Sequence, residues 1–339
     1  MRGTDFGFEQ YHTHLGYSLL VTLLVWPMVA WFGHRRLRAR PAQRAVLFGL
    51  AVAYPLCAEA GSFLITLLRP ELDTLSGQGI AQLHAAVLRW VPIDDLLDLA
   101  PAPAVSQVAI GVLVLFCLAS IAHCLHSARR LRRAFGRSLP LDATRHAALF
   151  ERFRALAGAN GRPLPPVLVV DLAAPLACTT GLTRPRIYIA SLLLDLLSPE
   201  ECVAVLCHEW AHVVRRDLLW SWLVRLFRDI FCFLPGSYPL WRAMLASQDE
   251  ACDALAARMT RQPLALARAV VKVAHAWEHH RLQTPVAANL FALPSASPRA
   301  RVTHMLRLHE QGHSAGSADV YLLVCAISLL AVLPVLLGC

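Results

Sequence analysis

The sequence is short of charged residues. Only 16% of its 339 residues are Asp, Glu, Lys or Arg, whereas 56% are hydrophobic; a typical soluble domain has about 25% charged residues. This balance excludes an intrinsically disordered chain, which combines low hydrophobicity with high charge. It also argues against a wholly soluble globule, because so much apolar surface needs a lipid environment.

Lysine and closely spaced cysteines are also scarce. Lys272 is the single lysine, so the net charge of +9 comes almost entirely from arginine. The arginines lie beside apolar runs, which favours orientation in a membrane over binding to nucleic acid. The 10 cysteines are too dilute for a disulfide scaffold. Because the sequence has no CxxC pair, neither a thiolate zinc site nor a redox motif is expected.

Four apolar stretches are long enough to cross a bilayer, whose hydrocarbon core takes about 20 helical residues. They cover about 15–32, 45–68, 105–125 and 320–337. Arginine-rich segments follow the first and the third stretch, whereas the loop 69–104 is mainly acidic. The positive-inside rule therefore predicts that both termini lie on the outer side of the inner membrane. The large segment before the last span is then cytoplasmic.

The predicted spans divide the chain into three parts. Residues 1–137 form a membrane region with three spans, residues 138–318 a cytoplasmic domain, and residues 319–339 the last span. Segment 217–241 mixes Leu, Trp and Phe with Arg and Asp, which is typical of a helix on the membrane surface; a fifth span is the alternative. Glu59 falls within the second span, where we expect a hydrogen bond to the other helices rather than a functional role.

The cytoplasmic part is predicted to combine helices with short strands. Pro166–Val170 and Arg186–Ala190 have the pattern of buried strands, and Ala173–Thr180 is a looser candidate. The strand Arg186–Ala190 is a candidate for docking an extended substrate by strand addition; ordinary packing in the core is the alternative, and the two are compatible. A capping box formed by Ser198 and Glu201 predicts a helix start. That helix should run to about 216, and further helices are expected at about 143–156, 240–260, 264–280 and 299–310.

The helix that begins after Ser198 contains a His-Glu-x-x-His motif. His208 and His212 are four residues apart, so on a helix they face the same way and can take two corners of a zinc tetrahedron. Glu209 would then be placed to activate a water molecule as general base. This pattern is typical of a zinc metalloprotease.

The sequence contains a second match to this motif, from His309 and Glu310 to His313. Gly312 inside it costs about 1 kcal/mol in a helix, and the serines and glycine that follow indicate a helix end. We interpret this match as a polar turn before the last span.

An acidic cluster downstream of the first motif offers a third ligand. Asp249, Glu250 and Asp253 belong to one helical run. A carboxylate of Asp249 or Glu250 would leave the fourth position of the metal to water. Asp253 is expected to support the site by accepting a hydrogen bond from a ligating histidine. The predicted cofactor is therefore one Zn²⁺ per chain.

The combination of motifs resembles the membrane-embedded gluzincin peptidases. The residues that carry the resemblance are Gly181–Ile189, Leu197–Glu201, the motif at His208–His212 and Val213–Asp217. The chain is most similar to the BlaR/MecR-type signal-transducing peptidases, and more distantly to the HtpX-like and CAAX-prenyl endopeptidases. The resemblance covers about 140–310. It implies a mainly α-helical integral membrane protein, a multi-span bundle with a cytoplasmic α+β zincin-like metalloprotease domain.

The sequence departs from the family pattern at the third ligand. The family has a Glu four residues before the Asp of the acidic motif, whereas here Asp249 lies four residues before Asp253 and Glu250 lies three before it. Either Asp249 ligates with its shorter side chain, or Glu250 does after a small helix rotation, or the site is weakened and the chain is a pseudoenzyme. The antibiotic-sensing members also carry an extracellular penicillin-binding domain after the last span. We expect no such sensor here, so the resemblance does not imply β-lactam sensing.

Several residues outside these motifs could also contribute to a metal site or to catalysis. His275, His279 and His280 share a helix, and we interpret them as surface residues. Tyr238 and the arginines within 215–228 are candidates for stabilising a tetrahedral intermediate.

Together these observations predict an integral-membrane zinc endopeptidase that cleaves peptide bonds at the cytoplasmic membrane face, in regulatory signalling or in membrane protein quality control. Its expected partners are the lipid bilayer and an extended peptide or protein, such as a cytoplasmic regulator or the chain itself. A homodimer is compatible with the sequence, and nucleic acid is not an expected partner. The alternative is a non-catalytic membrane signalling protein or scaffold that retains a degenerate metalloprotease fold.

Overall fold

The computed structural model describes much of the chain between 26 and 311. The described ranges are 26–37, 40–54, 103–136, 138–141, 146–158, 163–172, 174–232, 234–280 and 297–311. Glu59, His313, the fourth predicted span and most of the first two spans lie outside these ranges.

The described residues are mainly helical and include one small sheet. Two N-terminal helical stretches come first, at 26–35 and 41–54. The later elements, in chain order, are α1 (Pro103–Ala134), β1 (Ser138–Pro140), α2 (Ala147–Gly158), β2 (Val167–Val170), β3 (Ala177–Thr180), β4 (Arg186–Ala190), α3 (Ser191–Leu196), α4 (Pro199–Arg215), α5 (Asp217–Ile230), α6 (Ser237–Thr260), α7 (Pro263–His280) and α8 (Pro298–Gln311). The predicted mainly α-helical class with a small α+β unit is confirmed.

Helix α1 covers the third predicted span, and apolar side chains on it are exposed. Leu115 is 66% exposed and Leu118 is 59% exposed. Among the described residues, however, no helix combines the length and the apolar character needed to cross a membrane. The four spans therefore stay a prediction.

The sheet has four strands in the order β1-β2-β4-β3. β4 pairs with β2 in parallel and with β3 in antiparallel orientation, so both of its sides are occupied. Of the two interpretations of Arg186–Ala190, packing in the core is confirmed, since four of its five residues are buried. Docking of a substrate on this strand by strand addition is wrong, and among the described strands β3 is the edge strand on that side. The turn from β3 to β4 requires Gly181, whose φ is +93°, and a Cβ there would collide with the carbonyl oxygen of Arg184.

Helix α4 is held between the sheet and the other helices. Its capping box is confirmed: the Ser198 hydroxyl accepts from the Glu201 N–H, and the Glu201 carboxylate accepts from the Ser198 N–H at 2.9 Å. Leu206 and Trp210 on α4 are buried in one core with Ile187 and Ile189 of β4. This burial fixes the helix that carries the His-Glu-x-x-His motif.

A second core joins the N-terminal helical stretches to α5 and α6. Trp26 and Phe48 pack there with Val224 and Met244, so residues from the predicted membrane region contact the predicted cytoplasmic domain. Segment 217–241 is two helices, since α5 ends at Ile230 and α6 begins at Ser237. The apolar face of α5 packs on protein, and its location on a membrane surface stays a prediction.

Candidate metal centre

Helices α4 and α6 bring three potential metal ligands together. His208, His212 and Asp249 each offer one ligand atom, and these atoms lie within 4.8 Å of one another. The Nε2 atom of His212 is 3.7 Å from Oδ1 of Asp249. Donors about 2 Å from a shared zinc ion lie roughly 3.3–3.6 Å apart in a tetrahedron. Two imidazoles and a carboxylate at this spacing therefore suit zinc after a small adjustment.

The fold distinguishes between the two carboxylates that the sequence left open. The Glu250 carboxylate forms an ion pair with the guanidinium of Arg44, from the second N-terminal helical stretch. The same guanidinium donates from Nε to the Ser247 hydroxyl at 2.8 Å. Asp249 is thus the carboxylate that the fold brings to the histidines, and Glu250 is engaged with Arg44.

Glu209 lies beside the edge strand of the sheet. Its side chain is buried on α4, and the hydroxyl of Thr179 on β3 donates to Glu209 Oε2 at 2.9 Å. The same hydroxyl lies 3.1 Å from the main-chain oxygen of Glu209. This contact fixes the carboxylate next to the histidines and next to β3, an edge strand of the sheet that the described residues form.

The first histidine is supported by a buried acid. Oδ1 of Asp253 lies 2.8 Å from Nδ1 of His208, and Asp253 is fully buried. Arg301 on α8 donates to both oxygens of this carboxylate, at 2.9 Å and 2.5 Å. Burial alone would raise the pKa of Asp253, but the charge of Arg301 and the contact with His208 outweigh it and hold that pKa well below its usual range. The structure thus places the buried carboxylate of Asp253 in contact with His208 and Arg301.

The second histidine has its own set of partners. Nδ1 of His212 lies 3.1 Å from Oδ2 of Asp217 and 3.3 Å from Sγ of Cys252. Arg215 donates to the same Asp217 oxygen at 3.0 Å. Burial lowers the pKa of His212, but Cys252 and Asp217 outweigh burial and raise that pKa well above its ordinary value. Both Nδ1 atoms thus face acids, so each imidazole in its neutral form would present Nε2 to a metal, and a protonated His212 would release a proton on binding it.

A comparison of the sequence with known protein families identifies the family of this chain. The model of the BlaR1 peptidase M56 family matches residues 96–290, which is more than half of the chain. The chain belongs to this family. The sequence-based resemblance to BlaR/MecR-type metallopeptidases is confirmed.

The chain is also similar to bacterial proteases named HtpX homolog. It is 35% identical to the protein from Ralstonia pickettii over 83 residues, which cover 24% of this chain and 29% of that protein. It is 34% identical to the protein from Moorella thermoacetica over 104 residues, covering 30% and 34%. The chain thus spans about a third of the length of these relatives. A crystal structure of S. mikatae Ste24p has a TM-score of 0.38 and 17% identity, covering 72% of this chain and 66% of that one.

The sequence did not predict three contacts of this candidate metal centre. Arg301 is 93 residues from His208 along the chain, and no spacing rule connects them. Thr179 was predicted only as part of a loose strand, and Cys252 only as a member of the acidic motif. The long-range pairing that brings these residues to the site has no local sequence signal.

The weaker candidates lie elsewhere. His309 and Glu310 are exposed near the end of α8. Among the described residues, neither belongs to a group of side chains that could hold a metal ion. His275 is exposed on α7, in agreement with the surface interpretation. Tyr238 is exposed at the start of α6 and packs beside Trp241.

Proposed function

We propose that the chain is a membrane-embedded zinc endopeptidase whose active site is built by α4, α6 and β3. Membership of the M56 peptidase family supports peptidase chemistry. The observation that carries the proposal is the convergence of His208, His212 and Asp249 within 4.8 Å, with Glu209 next to the first histidine in the chain.

In this proposal His208, His212 and Asp249 hold one Zn²⁺ per chain. Bound zinc would polarise the scissile carbonyl and lower the pKa of the attacking water molecule. Asp253 and Asp217 accept from the Nδ1 N–H groups and keep both imidazoles oriented. Asp249 is one methylene shorter than the Glu of the family pattern, and its Oδ1 atom lies 3.7 Å from Nε2 of His212.

Glu209 is the proposed general base. Its carboxylate would accept a proton from the attacking water and then transfer that proton to the leaving amine. The hydrogen bond from Thr179 holds Oε2 and leaves the other carboxylate oxygen for the water. Thr179 is therefore a positioning residue for Glu209.

The proposed substrate is an extended segment of a peptide or protein. β3 is an edge strand, and Thr179 places it against the catalytic carboxylate. An extended substrate that pairs with β3 would lie across Glu209 and the two histidines. In this arrangement β4 pairs with β3 on the side opposite the substrate and does not bind the substrate itself.

We further propose that the chain is embedded in the inner membrane with this site on the cytoplasmic side. The arginine-rich segments that follow two apolar stretches support this orientation. The exposed apolar side chains of α1 support contact with lipid. Cleavage of a cytoplasmic regulator or of membrane proteins would fit a site at this location.

The test compares two Glu→Gln variants from the two His-Glu-x-x-His matches. Detergent-purified wild type, Glu209→Gln and Glu310→Gln are incubated with zinc and an unstructured protein such as β-casein, and new peptide termini are identified by mass spectrometry. We expect cleavage by wild type and by Glu310→Gln, and loss of at least about 100-fold in Glu209→Gln. Equal cleavage by all three proteins would contradict the role of Glu209, and none by zinc-loaded wild type would favour the non-catalytic scaffold.

A further inference from the structure

Helix α8 contributes one side chain to the support of the candidate metal centre. Arg301 reaches Asp253 with a two-point contact: Nε donates to Oδ2 at 2.9 Å and a terminal nitrogen donates to Oδ1 at 2.5 Å. Its residue number falls beyond the segment 96–290 that matches the family model. The side chain of Arg301 is 19% exposed, whereas that of Asp253 is completely buried.

The two-point contact fixes the orientation of the Asp253 carboxylate. A carboxylate held by a single bond can turn about its last torsion, whereas the planar fork of an arginine engages both oxygens at once. The oxygen held at 2.5 Å is Oδ1, and it is also the one that lies 2.8 Å from Nδ1 of His208. Arg301 therefore determines where the hydrogen-bond acceptor of His208 lies.

The position of that acceptor decides the tautomer of His208. An ionised carboxylate only accepts hydrogen bonds, so Asp253 requires the imidazole proton on Nδ1 and leaves the Nε2 lone pair for a metal. The same terminal nitrogen of Arg301 lies only 3.4 Å from Nδ1 of His208. If Asp253 turned away, this donor would face Nδ1 and favour the opposite tautomer, with the proton on Nε2.

We propose that Arg301 is a positioning residue of the metal centre, which acts through Asp253 to hold His208 in the tautomer that presents Nε2 to the metal. This inference rests on the proposed function, since it concerns the same site. Arg301 itself touches neither the substrate nor the metal. Its effect is transmitted through one carboxylate and one imidazole.

The experiment measures zinc affinity and tautomer in four full-length proteins. They are wild type, Arg301→Gln, Arg301→Lys and the matched control Arg307→Gln, which makes the same charge change at an exposed position on α8. Zinc dissociation constants are obtained by chelator competition. The imidazole ¹⁵N shifts of zinc-free, histidine-labelled protein report which nitrogen of His208 carries the proton, and His208→Gln assigns the signal.

We expect Arg301→Gln to weaken zinc binding by about 10- to 100-fold, the range typical for loss of a partner that orients a metal ligand. Its His208 signal should shift from the Nδ1–H tautomer to a mixture. Arg301→Lys keeps the charge but loses the fork, so an intermediate loss is expected. Arg307→Gln should match wild type in both measurements.

A purely structural role would give a different result. Arg301→Gln would then unfold at a lower temperature but keep the wild-type zinc affinity and tautomer, and this outcome would overturn the proposal. If Arg301→Gln does not fold, wild-type affinity and tautomer in Arg301→Lys would overturn it equally. A wild-type chain that binds no zinc would overturn the proposed function itself, and a wild-type His208 with its proton on Nε2 in the zinc-free state would overturn only the role of Arg301.

Discussion

Arg44 and Glu250 form an ion pair although they lie 206 residues apart in the chain. In the sequence Arg44 belongs to the arginine-rich segment that predicts membrane topology. In the structure its side chain is only 8% exposed and is buried against α6. The pair connects the second N-terminal helical stretch to the residue next to Asp249. It therefore links the predicted membrane region to the helix that carries the proposed third ligand.

Replacement of Arg44 by methionine should destabilise the zinc-free protein. The substitution leaves the Glu250 carboxylate without its buried partner. Loss of one member of a fully buried pair costs about 3–5 kcal/mol. Because Glu250 is partly accessible to solvent, we expect a loss of about 2 kcal/mol in the free energy of unfolding. Thermal and chemical unfolding in detergent measure the change. The double variant Arg44→Met/Glu250→Gln should recover part of the loss, and a single variant as stable as wild type would contradict the structural importance of the pair.

Substitutions at Asp249 and Glu250 separate the ligand from its neighbour. Asp249→Ala should lower zinc affinity by at least about 100-fold, because one of three protein ligands is lost. Asp249→Glu restores the side-chain length of the family pattern and should keep zinc binding. Glu250→Ala is the matched control on the same helix and should bind zinc within a few fold of wild type; the reverse order of affinities would assign the third ligand to Glu250.

The contact between Thr179 and Glu209 should affect catalysis without affecting the metal. A hydrogen bond to a charged group contributes about 1.5–3 kcal/mol, so Thr179→Val should lower the cleavage rate by roughly 10- to 100-fold. Zinc content should be unchanged, because Thr179 is not a ligand. Thr179→Ser keeps the hydroxyl and should keep most of the activity. Equal rates for the Val and Ser variants would show that the hydroxyl does not position Glu209.

The first turn of α4 should show a pH-dependent stability. Burial would raise the pKa of Glu201, but the hydrogen bonds from Lys272 and from the Ser198 N–H outweigh it and lower that pKa. A carboxyl whose pKa is lower in the folded state stabilises the protein above its unfolded pKa of about 4.3, and that stability disappears as the pH falls through the folded value.

Glu201→Gln should therefore be less stable than wild type at pH 7, by about 1–3 kcal/mol. The difference should shrink as the pH falls below about 4.3. Unfolding curves from pH 7 to pH 3 test this, with Glu278→Gln on an exposed part of α7 as control. A difference that stays constant over this range would mean that the charge of Glu201 is unimportant.

Local signals in the sequence predicted the elements that carry the site. Ser198 and Glu201 predicted the start of α4 because capping is a local hydrogen-bonding pattern. The short apolar segment Arg186–Ala190, with two isoleucines and a tyrosine, predicted β4 with its observed bounds. Histidines four residues apart lie on one side of any α-helix, so the His208–His212 pair followed from spacing alone.

Features set by long-range packing could not be predicted in this way. Whether Asp249 or Glu250 faces the histidines depends on how α6 packs against α4, and the two residues point about 100° apart on a helix. A buried strand pattern does not distinguish an edge strand from a central one, so the sequence left docking on β4 open beside packing in the core. Arg301 had no signal because its partner Asp253 lies 48 residues away.

The zinc content per chain shows whether the motif that contains His208 holds a metal ion. Wild type, His208→Ala and His309→Ala are purified in detergent, reconstituted with zinc, passed through a desalting column and analysed by inductively coupled plasma mass spectrometry. We expect about one zinc ion per chain in wild type and in His309→Ala, and almost none in His208→Ala. No zinc in wild type, or loss of zinc only in His309→Ala, would contradict it.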